Sequence, residues 1–110
     1  MRGAALALLL AAFPAFAQSA FAQPAPGQCQ RDMAESSRLI RGIHERDRNP
    51  GIARGDTAGL CRLLRRNEQD MATARNLQAP CLTGFERRET LAQFDANLID
   101  IREAIVRVCK

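Results

Sequence analysis

Apolar residues near the end of the chain recur at alternating intervals of three and four, the spacing of one face of an α-helix. This apolar seam consists of Leu91, Phe94, Leu98, Ile101, Ile105 and Val108. Just upstream, Thr83 and Glu86 have the spacing of a capping box, in which the hydroxyl bonds forward and the carboxylate bonds back. We therefore predict a long helix that begins after Thr83.

A similar pattern occupies the segment from about Gln28 to Glu45, which we predict to be the first helix. Its inner face is formed by Cys29, Met33, Ser36, Ile40 and Ile43. The adjoining Asn49, Pro50 and Gly51 are expected to end this helix, because proline and glycine disfavour its continuation.

A middle helix is expected between these two. Asp56 and Thr57 are both good N-caps, and the helix should run to about Asn76 or Leu77, before Pro80. Its inner face is formed by Leu60, Leu64, Asn67, Met71 and Ala74.

Asn67 is the polar member of that face. A buried asparagine can fix the register of packed helices or face a ligand, but we expect Asn67 to lie at the edge of the seam, in water. Ser36 on the first helix presents the same alternatives.

The first residues have the parts of a secretory signal: Arg2, then an apolar run from Ala4 to Ala17. The run is too short for a membrane span, and Pro14 interrupts it. Two A-x-A cleavage sites end at Ala17 and Ala22, and we favour the second. The predicted organisation is a signal peptide over 1–22, a flexible leader over 23–27 and a helical domain over 28–110. The mature chain should be periplasmic or secreted, with no transmembrane span.

Four cysteines in an exported chain of this size indicate a disulfide framework. No strand-like alternation is present, so we predict an all-α fold, a small antiparallel three-helix bundle with two disulfides. Such a path places Cys29 with Cys81 at one end and Cys61 with Cys109 at the other. A bond from Cys29 to Cys61 would have to span about 25 Å of helix, against about 6 Å between bonded Cα atoms.

Basic residues outnumber acidic ones, 16 to 12, giving a net charge of +4. Three of them, Arg62, Arg65 and Arg66, cluster on the middle helix and are candidates for contact with an anion or a partner. A solvated surface, partly balanced by Glu68 and Asp70, is the favoured interpretation. No aromatic residues interleave with the cluster, so nucleic acid is not an expected partner.

The sequence contains few of the residue patterns that catalysis requires. His44 is the single histidine, H-E-x-x-H is absent, and the residue is expected to be solvated near the end of the first helix. C-x-x-C and the common nucleotide-binding and hydrolase motifs are also absent. We therefore predict no catalytic residue, no metal and no cofactor, and a protein that is not an enzyme.

The cysteine frame resembles a loose group of small exported four-cysteine helical proteins of Gram-negative bacteria. The resemblance rests on the Ala-Gln signal end, on Cys29 soon after it, and on Cys61-Arg62-Leu63-Leu64 opening a helix. Cys81 before the last helix and Val108-Cys109 at the end complete it. It implies an exported helical protein and no particular activity.

We expect a non-enzymatic exported protein that binds another protein or serves as a structural element of the envelope. The alternative is a periplasmic carrier of a small apolar or anionic ligand. An apolar cavity lined by Leu64, Met71, Phe94 and Leu98 would favour the carrier, whereas an exposed apolar patch would favour protein binding.

Signal cleavage gives the first testable prediction. Cleavage after Ala22 leaves Gln23 as the first residue, because a small residue precedes the cut and a polar leader follows it. Intact-mass spectrometry of the protein from the periplasm or medium measures this directly. A mature form beginning at Gln18 would move the site to Ala17, and one retaining Met1 would refute export by this signal.

Overall fold

The computed structural model describes residues 25–110, so the predicted signal peptide lies outside the described residues. Within that range the chain forms three helices: α1 over Gln28–Arg48, α2 over Thr57–Gln78 and α3 over Gly84–Val108. A short 3-10 helix, Ala79–Cys81, follows α2. No strand occurs in residues 25–110, which confirms the predicted all-α fold.

The N-cap of α2 is Asp56, one of the two residues predicted for that role. Its Oδ1 accepts a hydrogen bond from the N–H of Gly59 at 2.8 Å, which satisfies one of the free donors of the first turn. At the other end α2 reaches Gln78, slightly beyond the predicted Leu77. Pro80 falls within the 3-10 helix, where the chain leaves the α-helix.

The capping box predicted for α3 does not form. Thr83 is the N-cap and is extended, with φ −136°, but its side chain makes no capping hydrogen bond. Gly84, the first residue of α3, has φ +57°, in the left-handed region that glycine tolerates. The chain therefore enters α3 through a glycine turn instead of the regular geometry that the box requires.

Two disulfides join the helices at opposite ends of the bundle. Cys29 is bonded to Cys81, with Cα atoms 5.4 Å apart, and Cys61 to Cys109, with Cα atoms 5.3 Å apart. Both predicted pairs are confirmed. They indicate an oxidising setting outside the cytoplasm, since reducing compartments keep thiols free.

Three cross-links set the antiparallel register of α2 and α3. The first is the Cys61–Cys109 bond. Further along the two helices, towards the Cys29–Cys81 end, Arg102 pairs with Glu68 at 3.6 Å, and Arg75 pairs with Asp95 at 2.6 Å. The hydrogen bond to Asp95 raises the pKa of the Arg75 guanidinium above its ordinary value. Successive cross-links are seven residues apart on both helices, or about two turns. A slip of one turn would separate all three pairs.

The core lies where α2 meets the other two helices. Its buried cluster comprises Ile43, Met71, Ala74, Phe94 and Leu98. Ala74 is fully buried, and its small side chain lets α1 approach the backbone of α2. Helix α2 packs closely against both α1 and α3, whereas α1 and α3 meet mainly through core side chains.

A buried polar contact joins α1 and α2 in the halves that lie nearer the Cys29–Cys81 bond. The hydroxyl of Ser36, with 0% exposure, donates to the carbonyl oxygen of Ala74 at 3.0 Å. The amide Nε2 of Gln78 in turn donates to the Ser36 Oγ at 2.7 Å. Of the alternatives open for Ser36, the structure therefore shows the buried one, with its hydrogen bonds satisfied.

The disulfides give a prediction about local stability. Replacing Cys61 and Cys109 together by serine should cost about 2–5 kcal/mol in the free energy of unfolding. It should also loosen the end of α3, because Ile105 and Val108 there are only half-buried. Urea unfolding measures the first effect, and amide hydrogen exchange the second.

The matched control replaces Cys29 and Cys81 by serine. That variant should lose amide protection at the opposite end of the bundle, at the start of α1 and around the 3-10 helix. Identical exchange patterns in the two variants would contradict independent clamping of the two ends.

Candidate functional site

A long groove runs along α2. Its middle and its end near the Cys29–Cys81 bond lie between α1 and α3, whereas its upper end, nearer the Cys61–Cys109 bond, lies between α2 and the segment that joins α1 to α2. It consists of three adjoining cavities of about 460, 340 and 280 Å³, which we call the upper, middle and lower cavities. The upper and middle cavities share Asp47 and Leu64. The middle and lower cavities share His44, Met71 and Asn97. Each cavity is within or close to the size range of small-molecule sites.

The groove has an apolar floor and a polar rim. Leu60, Leu64 and Met71 of α2 line the floor along its length. The rim of the lower cavity carries His44, Thr90, Gln93 and Asn97, and the buried Gln78 also lines this cavity. The rims of the upper and middle cavities carry carboxylates: Asp47, Asp56 and Asp100. A few polar groups over an apolar surface is the usual composition of a ligand site.

Asn67 is buried beneath the middle cavity, with 3% exposure, and the prediction that it lies in water is wrong. Its Oδ1 accepts a hydrogen bond from Arg46 Nε at 2.8 Å, and its Nδ2 donates to Asp47 Oδ1 at 3.0 Å. Both partners come from α1, so the amide joins the upper halves of α1 and α2. These bonds compensate for the desolvation that makes a lone buried amide costly.

Arg46 extends this network on its outer side. Its Nη2 donates to Asp70 Oδ2 at 2.6 Å, and Arg66 approaches the same oxygen at 3.4 Å. The guanidinium of Arg46 is thus committed to α2 and does not line the groove.

The predicted basic cluster lies away from the groove. Arg62, Arg65 and Arg66 are exposed on α2, and none of them lines the three cavities. Arg65 lies beside the Cys61–Cys109 bond instead. The cluster stays a candidate for contact with an anion or a partner, but on a different surface from the groove.

His44 is exposed on α1, as predicted, and lines the middle and lower cavities. Sequence reasoning did not place it at a groove. No group of three or more potential metal-binding side chains occurs within residues 25–110.

A second candidate surface covers the outside of α3. Phe85, Ala92, Ile99 and Val106 follow one another at intervals of seven residues, and all four are exposed. We call this set the outer stripe. A shallow depression lies between Ile99 and Val106. The sequence contains the seven-residue repeat, but the apolar seam on the opposite side of the same helix is the more conspicuous pattern.

Comparisons with models of protein families, with curated proteins and with solved structures find no match to this chain. Among residues 25–110, no helix has an apolar stretch long enough to cross a bilayer. Two disulfides on three helices, an open groove and an exposed apolar stripe are therefore the features from which function has to be inferred.

The burial of Asn67 can be tested by substitution. Asn67→Ala should lower the free energy of unfolding by about 1–3 kcal/mol, because it removes a hydrogen bond each from Arg46 and Asp47. Thermal or urea unfolding followed by circular dichroism measures the loss. Asn76→Ala, on an exposed site of the same helix, is the matched control and should stay within about 0.5 kcal/mol of the parent. Equal costs for the two substitutions would contradict the buried network.

Proposed function

We propose that this chain is a non-enzymatic, exported protein that binds another protein through the outer stripe of α3, in the periplasm or outside the cell. The observation that carries the proposal is the exposure of the stripe. Phe85 is 70% exposed, Ile99 55% and Val106 72%, on a helix whose opposite face fills the core. The same surface would serve a structural element of the envelope.

Regular spacing distinguishes these residues from ordinary surface residues. Single exposed apolar side chains are common on soluble proteins and need no explanation. Four such residues at a constant interval of seven form one line, about 32 Å long at about 1.5 Å per residue. A helix that is apolar on two opposite faces is typically covered on both, and within residues 25–110 only the inner face of α3 is covered.

The edges of the stripe suit an interface. On one side, Asp95 and Arg102 are held by ion pairs with α2. At one end of the stripe, the Arg88 guanidinium lies 6.0 Å from the centre of the Phe85 ring. An apolar centre with a charged rim is the common composition of a protein interface.

The carrier of a small ligand is the second candidate function, and the groove along α2 favours it. Of the four residues expected to line such a cavity, Leu64 and Met71 lie in its floor and Phe94 lines its lower part, whereas Leu98 is buried in the core and lines none of the three cavities. The lining of carboxylates and amides supports an apolar ligand better than an anionic one. The export predicted from the first residues is compatible with either function.

Site-specific crosslinking tests the protein-binding proposal. A photoreactive residue at Ile99, in the chain expressed in its own cells, should give one adduct of discrete mass, identified by mass spectrometry. The same residue at Gln69, exposed on α2, is the control and should give none.

A double variant, Ile99→Asp with Val106→Asp, should abolish the adduct formed by a photoreactive residue at Ala92. Because both substituted sites are exposed, the free energy of unfolding should stay within about 0.5 kcal/mol per substitution. An adduct that survives in the folded double variant, or crosslinking of equal yield at Gln69, would refute docking on the outer stripe.

A further inference from the structure

We propose that the middle cavity of the groove binds a small amphipathic cation, an ammonium group on an apolar body. Asp47 of α1 and Asp100 of α3 both line this cavity and would receive the ammonium, and Leu64 and Met71, which also line it, would contact the apolar body. This inference rests on the carrier function and is independent of the outer stripe.

The charge of the groove is opposite to that of the chain. The chain has 16 basic and 12 acidic residues. Nevertheless, among the described residues that line the three cavities, every Asp, Glu, Lys or Arg is an aspartate. A cation entering the groove therefore meets carboxylates, whereas a carboxylate or phosphate entering it meets neither Lys nor Arg; His44 is the one imidazole among the described lining residues. Charge complementarity selects the sign of the ligand.

The two carboxylates of the middle cavity can still accept hydrogen bonds. Asp47 accepts one bond, from Asn67 Nδ2, and an ionised carboxylate has about four acceptor positions. Within residues 25–110, Asp100 has no side-chain hydrogen bond and no salt bridge. Arg46, which could have neutralised Asp47, instead donates to Asn67 and Asp70. An ammonium has three donors, enough to engage both aspartates.

The apolar part of the site determines the shape of the ligand. Leu64, Met71 and Ile101 line the middle cavity, whose volume is about 340 Å³. The cavity continues past Leu64 into the upper cavity, where Leu60 and Leu63 extend the apolar surface. A linear alkyl chain can therefore follow the floor of α2, and each added methylene should tighten binding about two- to fourfold until the groove is filled.

Calorimetric titration of the oxidised protein with octylammonium chloride, below its micelle concentration, tests the proposal. Octylammonium should bind at one site per chain, 1-octanol at least about threefold more weakly, and octanoate more weakly still. Amide NMR shifts on binding should centre on His44, Met71 and Asn97, which line the groove.

Substitution of the carboxylate provides the decisive comparison. Asp100→Asn should weaken octylammonium binding about three- to tenfold and leave octanol binding unchanged. Glu103→Gln is the matched control, since it removes the same charge from α3 outside the groove, and should leave both affinities unchanged.

Three results would overturn the inference: equal affinity for octanol and octylammonium, equal weakening by Asp100→Asn and Glu103→Gln, or NMR shifts centred on Ile99 and Val106. Failure of all three ligands to bind would reject the carrier function as well. The Ile99→Asp, Val106→Asp variant should bind octylammonium with unchanged affinity. The ligand titrations therefore do not test protein binding by the outer stripe.

Discussion

The attachment of α2 at both of its ends is the constraint on which this structure depends. One disulfide joins the start of α1 to the 3-10 helix that follows α2, and the other joins the first turns of α2 to the residue that follows α3. Both outer helices are thereby tied to α2 and not to each other. The groove follows from this arrangement, because nothing of comparable strength draws α1 and α3 together above the core.

Buried polar contacts determine the register of α1 on α2, which the small apolar core alone does not specify. Near the lower end, Ser36 and Gln78 satisfy each other and a backbone carbonyl, and nearer the upper end Asn67 bridges to Arg46 and Asp47. Apolar side chains tolerate sliding by one turn, but a buried amide or hydroxyl that slides loses its partners and the associated free energy. These few groups therefore determine where α1 stands on α2.

The sequence predicted the three helices, their order and both disulfides, because apolar periodicity and helix length are local properties. It failed where the deciding partner lies on another helix. Asn67 was expected in water because the residues that satisfy it, Arg46 and Asp47, belong to α1, and no spacing rule connects them. The capping box failed for a local reason, the left-handed turn at Gly84. Three of the residues considered for a cavity, Leu64, Met71 and Phe94, do line the groove, but its polar lining depends on how closely α1 and α3 approach each other, which the spacing of one helix does not determine.

The two disulfides also interleave in sequence: Cys61, the first cysteine of one bond, lies between Cys29 and Cys81, the two cysteines of the other. In a chain that enters an oxidising compartment amino end first, Cys29 and Cys61 become available to each other before either native partner arrives. Their premature bond would hold α2 against α1 in the wrong register. From such an intermediate the native pairing is reached only by thiol–disulfide exchange that releases the Cys29–Cys61 bond.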